Sequence, residues 1–383
     1  MKRLYVVTGW FLLVVLVLLN MWLVVSGRTW VYRALVYNYV GIDDHDLFNQ
    51  RSVAVGKAHP WPVSQQYNHI EPDKQALDKL QSLKSVAFLV IHRDSLLYEA
   101  YWDGYTDSSW TNSFSMSKSV VGALTGVALK QGYIRSIDQQ VREFIPEYAG
   151  DSKGTLTIRQ LLTMSAALSW DEAYASLFSV TTEAYYGRNL SGLMDGLQVV
   201  GKPGTDFLYQ GGATQLLAMV IMRASGQNLS AFFSSQLWKP LGAEHEAGWS
   251  LDREQGMEKA SCCIYSNARD FARIGSLYLH KGNWFGTQLI DSAYIIESLQ
   301  AAPLQFQGKP NTEYGFQWWI NTVDQHPVYY CRGILGQYIA IIPDHDLVVV
   351  RLGHLREQAD DGTLLDLPIY LRAAMAMASK NKP

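Results

Sequence analysis

The chain has 383 residues, 48% hydrophobic and 17% charged, enough to bury a sizeable core and too apolar for a disordered segment. A formal net charge of −3 and the lack of a long Lys/Arg run argue against a nucleic-acid partner. Three cysteines, Cys262, Cys263 and Cys331, form neither a disulfide framework nor a zinc spacing and read as small buried hydrophobes.

Residues 4–25 are almost continuously apolar, interrupted by Thr8, Gly9 and Asn20 and preceded by Lys2 and Arg3. About 22 such residues can cross a bilayer. The run ends without a small-x-small cleavage site, so residues 1–27 are expected to be an uncleaved signal anchor, a transmembrane helix. Lys2 and Arg3 bias the N-terminus towards the cytoplasm, which would put the rest of the chain on the extracytoplasmic side. No cysteine follows the apolar run closely enough for a lipoprotein anchor.

Residues 28–72 are mixed in character and read as a tether packing irregularly on the domain. Their acidic cluster, Asp43, Asp44, His45 and Asp46, could attract a cation but reads as a solvated loop. From residue 73 the patterns become regular. Apolar residues at helical spacing over 73–83 precede two strand patterns, 86–91 and 96–102, joined by a tight polar turn at 92–95. Residues 117–130 are helix-compatible and are closed by Gly132. Helical patterns recur at 157–164, 215–224, 229–241 and 270–280. Strand patterns return at 315–320, 328–331, 338–342 and 347–352, and a last helix is predicted over 364–378. Residues 73–383 are thus expected to form one domain with a helical subdomain at about 117–250. The expected fold is α+β: an antiparallel sheet flanked by helices from both chain ends, with the helical subdomain inserted.

Two serines match nucleophile motifs. Gly150-Asp151-Ser152-Lys153-Gly154 fits G-x-S-x-G literally, but Pro146 precedes it where the elbow needs a strand, so it reads as an exposed loop. Ser115 with Lys118 forms S-x-x-K at the entry of an apolar helix, where backbone N–H groups and the helix dipole favour an oxyanion. One turn on, Lys118 shares its face. Desolvation in such a helix favours an amine's neutral form, which could accept the serine proton. These residues alone leave open that Ser115 merely caps the helix and Lys118 snorkels to water. The four letters recur by chance at Ser379 to Lys382.

Six ordered segments tip the balance: residues 114–119, 157–165, 203–218, 267–275, 314–319 and 333–337. Across about residues 82–352 the sequence resembles the serine β-lactamase and penicillin-binding protein superfamily, in its class C-like hydrolase branch. The stretch 162–174 is most similar in style to 6-aminohexanoate-dimer hydrolase-like proteins. The resemblance implies a β-lactamase-like fold, Ser115 as nucleophile, Lys118 as its activator and Tyr209 as proton shuttle. It also implies an oxyanion hole from the backbone of Ser115 and Ile334. Glu172, Tyr174, Arg332 and Gly333 are candidate substrate-binding residues, and no metal or organic cofactor is implied. Two departures count against a β-lactamase: Tyr209-Gln210-Gly211 replaces Y-x-N, and Arg332-Gly333-Ile334 replaces K-T-G or H-T-G. The expected activity is an esterase or amidase acting on a small-molecule or peptide-like substrate, with the lipid bilayer as partner of the N-terminal helix. The alternatives are a non-hydrolytic envelope scaffold of the same fold, or a D-amino-acid carboxypeptidase or β-lactamase acting on cell-wall-like substrates.

Overall fold

The computed structural model describes residues 2–381, with side chains from Tyr5 onward except those of Asp151 and Ser152. Helix α1 (Lys2–Val25) is apolar around its circumference. Among the described residues, Tyr5–Val25 is the one stretch long and apolar enough to cross a membrane or to act as a signal sequence. Its last turns engage the rest of the chain. Helix α2 (Trp30–Tyr37) donates the Tyr32 hydroxyl to Asn20 Oδ1 at 2.9 Å, and Leu23 is buried with Trp30, Val31, Ala34, Phe48 and Tyr186. Residues 28–72 therefore hold regular structure, α2 and strand β1 (Gln50–Val53), besides irregular chain.

Helix α3 (Lys74–Ser82) is capped by Asp73, whose carboxylate accepts from the Ala76 N–H at 2.9 Å. Strands β2 (Ser85–His92) and β3 (Ser95–Tyr101) form the hairpin. Arg93 and Asp94 both take positive φ, 50° and 56°, the twist that a two-residue hairpin turn requires. His280 Nε2, 2.7 Å from Asp94 Oδ1, helps hold the turn. The short strand β4 (Thr111–Asn112) leads into α4 (Met116–Lys130). Helices α5 (Ile158–Leu162), α6 (Val180–Tyr186) and α7 (Gly211–Ser225) follow, then strands β5 (Ala247–Ser250) and β6 (Ile264–Ser266) and helix α8 (Ala268–Leu279). Strands β7 (Trp319–Val323), β8 (His326–Gly333), β9 (Gln337–Ile342) and β10 (Leu347–Gly353) and helix α9 (Leu367–Lys380) complete the chain.

The main sheet has the antiparallel order β7-β8-β9-β10-β2-β3, so the two ends of the domain meet at the β10–β2 pair. Strand β2 is buried along its whole length because helices cover both faces. Val348 meets α8, whereas Arg351 and Phe88 turn to Tyr370 of α9, as the period-two alternation of a strand demands. A second antiparallel sheet, β1-β5-β6-β4, draws short strands from distant parts of the sequence. The result is a mixed fold of helices and antiparallel sheets.

Two predicted elements differ. The strand expected at 315–320 begins only at Trp319. Gly315 is wedged beneath the Ser298 and Gln300 carbonyls, and Gln317 takes φ 62°, so residues 315–318 turn. The helix expected at 229–241 divides into Leu229–Phe233 and a wider π turn, Ser234–Trp238. The backbone at Asp151–Thr155 is a 3-10 turn with no strand running into it, and the Ser152 side chain lies outside the described residues. Lys382 of the chance C-terminal motif also lies outside them.

Candidate active site

The nucleophile candidate is placed by β4 and β6. Ser113 N–H donates to Ile264 O at 2.7 Å, Ile264 N–H donates to Ser113 Oγ at 3.1 Å, and Phe114 N–H donates to Asn112 Oδ1 at 2.9 Å. Held this way, buried Phe114 adopts φ 43°, a conformation that costs a bulky residue about 1–3 kcal/mol. The next residue, Ser115, opens α4 and makes no side-chain cap. Its Oγ instead accepts from Lys118 Nζ at 2.9 Å. Lys118 is 3% exposed, so it does not snorkel to water. Its second partner is the Ser261 carbonyl at 2.7 Å, and the Tyr209 ring centroid lies 5.1 Å from Nζ. Both hydrogen-bond partners of the amine are neutral oxygens.

Tyr209 leans on Trp319, ring centroids 5.4 Å apart, and meets Tyr314 edge-on. The following Gln210 spends its amide on loop 168–170. It accepts from Leu168 N–H at 3.0 Å and donates to the Leu168 and Trp170 carbonyls at 2.7 and 2.8 Å. Gly211 stands where the resemblance expects asparagine. A Cβ there would lie 3.0 Å from Glu172 Oε1 and 3.3 Å from the Trp170 ring, so a larger residue would have to displace those neighbours. Its N–H donates to Glu172 Oε1, and that carboxylate thereby caps α7.

A cavity of about 580 Å³ opens beside Ser115, within the usual range for small-molecule sites. Lys118 and Ile334 line it, as do Glu172 and Tyr174. Arg332 and Gly333 do not. The Arg332 guanidinium stacks 3.7 Å from the Trp319 ring centroid, and Gly333 packs against the nucleophile loop, where a Cβ would meet Ser113 O at 2.3 Å. Ile334 opens the turn that ends β8. That turn is fixed by Arg351, which is buried in β10 and donates to the Leu335 and Gly336 carbonyls at 3.1 and 2.8 Å. Burial lowers the Arg351 pKa.

Several cavity features have no motif in the sequence. Cys262 and Cys263 are joined by a disulfide next to Ser261, which corrects their reading as free buried hydrophobes; Cys331 is free and buried. Lys259 lies in the same wall. Its Nζ is 3.3 Å from the Phe48 ring centroid and donates to Tyr185 O at 2.6 Å. Burial first, and the Arg33 charge second, hold this amine well below the ordinary lysine range against the pull of Asp252. The Tyr185 and Tyr186 hydroxyls, on the adjacent α6, are buried without a partner. Among the described residues no three His, Cys, Asp or Glu side chains converge as a metal-holding group. In the acidic cluster, Asp44 accepts from the Gly41 N–H at 2.6 Å and Asp43 from the Tyr105 hydroxyl.

A serine and lysine at the head of a helix, facing a strand-end turn across a cavity, invite comparison with known hydrolases. The family described as Beta-lactamase matches residues 74–371. The chain belongs to the beta-lactamase family. Within that family it is similar to the 6-aminohexanoate-dimer hydrolase of Paenarthrobacter ureafaciens, 26% identical over 291 residues, or 72% of this chain and 74% of that one. A structure provisionally assigned as a 6-aminohexanoate-dimer hydrolase from Bacillus anthracis superposes with a TM-score of 0.77 at 22% identity, covering 88% of this chain and 92% of that one. A family VIII carboxylesterase superposes with a TM-score of 0.63 at 15% identity, covering 83% and 99%. The two structural likenesses show the fold. The family match and the curated relative make this chain a serine hydrolase of the beta-lactamase family.

Proposed function

We propose that this protein is a membrane-anchored serine hydrolase that cleaves an ester or amide through an acyl-enzyme on Ser115. The observation that carries the reading is the buried Lys118 amine 2.9 Å from Ser115 Oγ, at the head of α4 and beside the cavity. In the first step Ser115 Oγ attacks the carbonyl carbon and its proton passes towards the Lys118 amine, 2.9 Å away. The tetrahedral oxyanion is held by the backbone N–H groups of Ser115 and Ile334. The bond to the alcohol or amine then breaks, and Tyr209 relays the proton to that leaving group. Water attacks the acyl-enzyme by the same route in reverse, releasing the acid and restoring the Ser115 hydroxyl. Glu172 and Tyr174 line the side of the cavity that receives the substrate. Gly211 supplies no side chain to grip a β-lactam amide, which favours simpler esters and amides.

The anchor is α1, with the catalytic domain on the extracytoplasmic side. The Cys262–Cys263 disulfide supports that side, because disulfides persist in oxidising compartments. The test is Ser115→Ala, assayed on a 4-nitrophenyl acyl ester and with a fluorophosphonate probe. The variant is expected to lose at least about 10³-fold in kcat and all labelling. Full hydrolysis by Ser115→Ala would end the assignment.

A further inference from the structure

The cavity wall and the apolar N-terminal helix share one packed cluster. Leu23, two residues from the end of the Tyr5–Val25 stretch, is buried with Tyr186, which lines the cavity. Trp22 meets Phe178 edge-on at 5.9 Å, and Trp30 Nε1 donates to Leu177 O at 3.2 Å. Asn20 lies five residues inside the end of the stretch, about 7.5 Å along the helix axis. In lipid its amide needs partners. Nδ2 donates to Leu16 O at 2.8 Å and Oδ1 accepts from Tyr32 of α2 at 2.9 Å. Helix α2 therefore lies back along the last turns of α1, which in an anchored chain would place it near the headgroup layer.

The outer face of α2 suits that depth. Leu35 and Val36 are 58% and 76% exposed, and Tyr39, just beyond the helix, is 86% exposed while also lining the cavity. Trp22, Tyr32 and Tyr37 gather at the same end, as in the aromatic belt of a membrane interface. Residues 38–41 then run directly from α2 into the wall of the cavity that holds Ser115, and that wall is chiefly carbon.

We infer that the cavity takes its substrate from the bilayer, and that the substrate is a long-chain acyl ester or amide of a membrane amphiphile. The inference rests on the acyl-enzyme and anchoring readings above. For an ester, Ser115 Oγ bonds to the acyl carbonyl carbon, the bond to the lipid's alcohol oxygen breaks, and the serine proton leaves on that alcohol. Water then releases the fatty acid.

The test reconstitutes the full chain in phosphatidylcholine vesicles carrying 4-methylumbelliferyl palmitate, with soluble 4-methylumbelliferyl acetate as reference. The palmitate is expected to be hydrolysed when it shares the enzyme's vesicles and at least about tenfold more slowly when it is offered in separate vesicles. A double variant, Leu35→Glu with Val36→Glu, lifts α2 from the headgroup layer. It should lower palmitate hydrolysis about tenfold, equivalent to about 1.4 kcal/mol, and leave acetate hydrolysis within twofold. Ser115-dependent acetate turnover without palmitate turnover, or equal palmitate rates from shared and separate vesicles, overturns the inference alone. Acetate turnover surviving Ser115→Ala overturns it through the catalytic reading. Loss of the protein from the vesicles in alkaline carbonate overturns it through the anchoring reading.

Discussion

Replacing Gly333 by alanine perturbs the candidate oxyanion hole without touching either of its donors. The added Cβ would stand 2.3 Å from the Ser113 carbonyl oxygen and 3.0 Å from Phe114 Cβ, whereas ordinary contact begins at 3.4 Å. Strand β8 and the nucleophile loop must therefore part by about 1 Å. One side of that gap is two residues from Ser115 and the other is next to Ile334, so the displacement falls across the hole itself. A misplacement of about 1 Å at a reacting centre costs roughly 10²-fold, or about 2.7 kcal/mol of barrier. Overpacking should also lower stability by about 1–3 kcal/mol. Steady-state hydrolysis of a 4-nitrophenyl ester measures the first effect, and urea unfolding the second. Gly196→Ala is the control, since no atom lies within 4 Å of its added methyl, and it should change neither by much. If Gly333→Ala loses stability yet keeps kcat within threefold, the Ser115 and Ile334 backbone does not hold the oxyanion and the reasoning fails.

Lys118→Met is expected to lower kcat by about 10²–10⁴-fold. It also leaves the Ser261 carbonyl without its donor, a cost of about 1–2 kcal/mol visible in urea unfolding. Alkylation of the unfolded, unreduced chain should label one thiol, Cys331, and reduction should expose two more. Reduction of the folded enzyme frees the wall that presents the Ser261 carbonyl and should lower kcat about tenfold with an unchanged far-ultraviolet spectrum. Burial opposes ionisation of Glu99, but hydrogen bonds from Arg269, Tyr67 and Tyr101 outweigh it and hold the carboxyl below its ordinary range. A depressed carboxylate pKa stabilises the fold above its unfolded value, about 4.3, and that stability is lost as pH falls through the folded value. Glu99→Gln should therefore cost about 2–3 kcal/mol at pH 7 and flatten the fall in stability between pH 5 and pH 3.

Where one local rule governs an element, the sequence is readable. The i, i+3 spacing that puts Ser115 and Lys118 on one face follows from helix geometry, and apolar stretches of four or more residues mark β2, β9 and β10. The second sheet escapes notice because its strands are two to four residues long and two of its three pairings join residues about 155 and 200 positions apart. Lys118's second partner is a backbone carbonyl, which any residue at position 261 would offer. Gly211 reads as a motif failure until Glu172 and Trp170 are seen to fill its space. Two signals were there to be used: the adjacency of Cys262 and Cys263, and an arginine at 351 inside an otherwise apolar strand, where only a dense set of carbonyl acceptors could satisfy it. The Lys259 amine lies beyond any motif, because its aromatic surroundings come from residues 48 and 185.

The packing of Leu23 against Trp30 and Tyr186 has a mechanical consequence. A stretch of 21 helical residues rises about 31 Å, close to the thickness of a bilayer's hydrocarbon core. In a thinner membrane such a helix tilts. Because its last turns pack on α2 and on Tyr186 of α6, such a tilt of an anchored α1 would swing the cavity's rim with it. Under the anchoring proposed above, membrane thickness would act on the enzyme as a lever, and the same chain would show different access to Ser115 in short-tailed and long-tailed lipids.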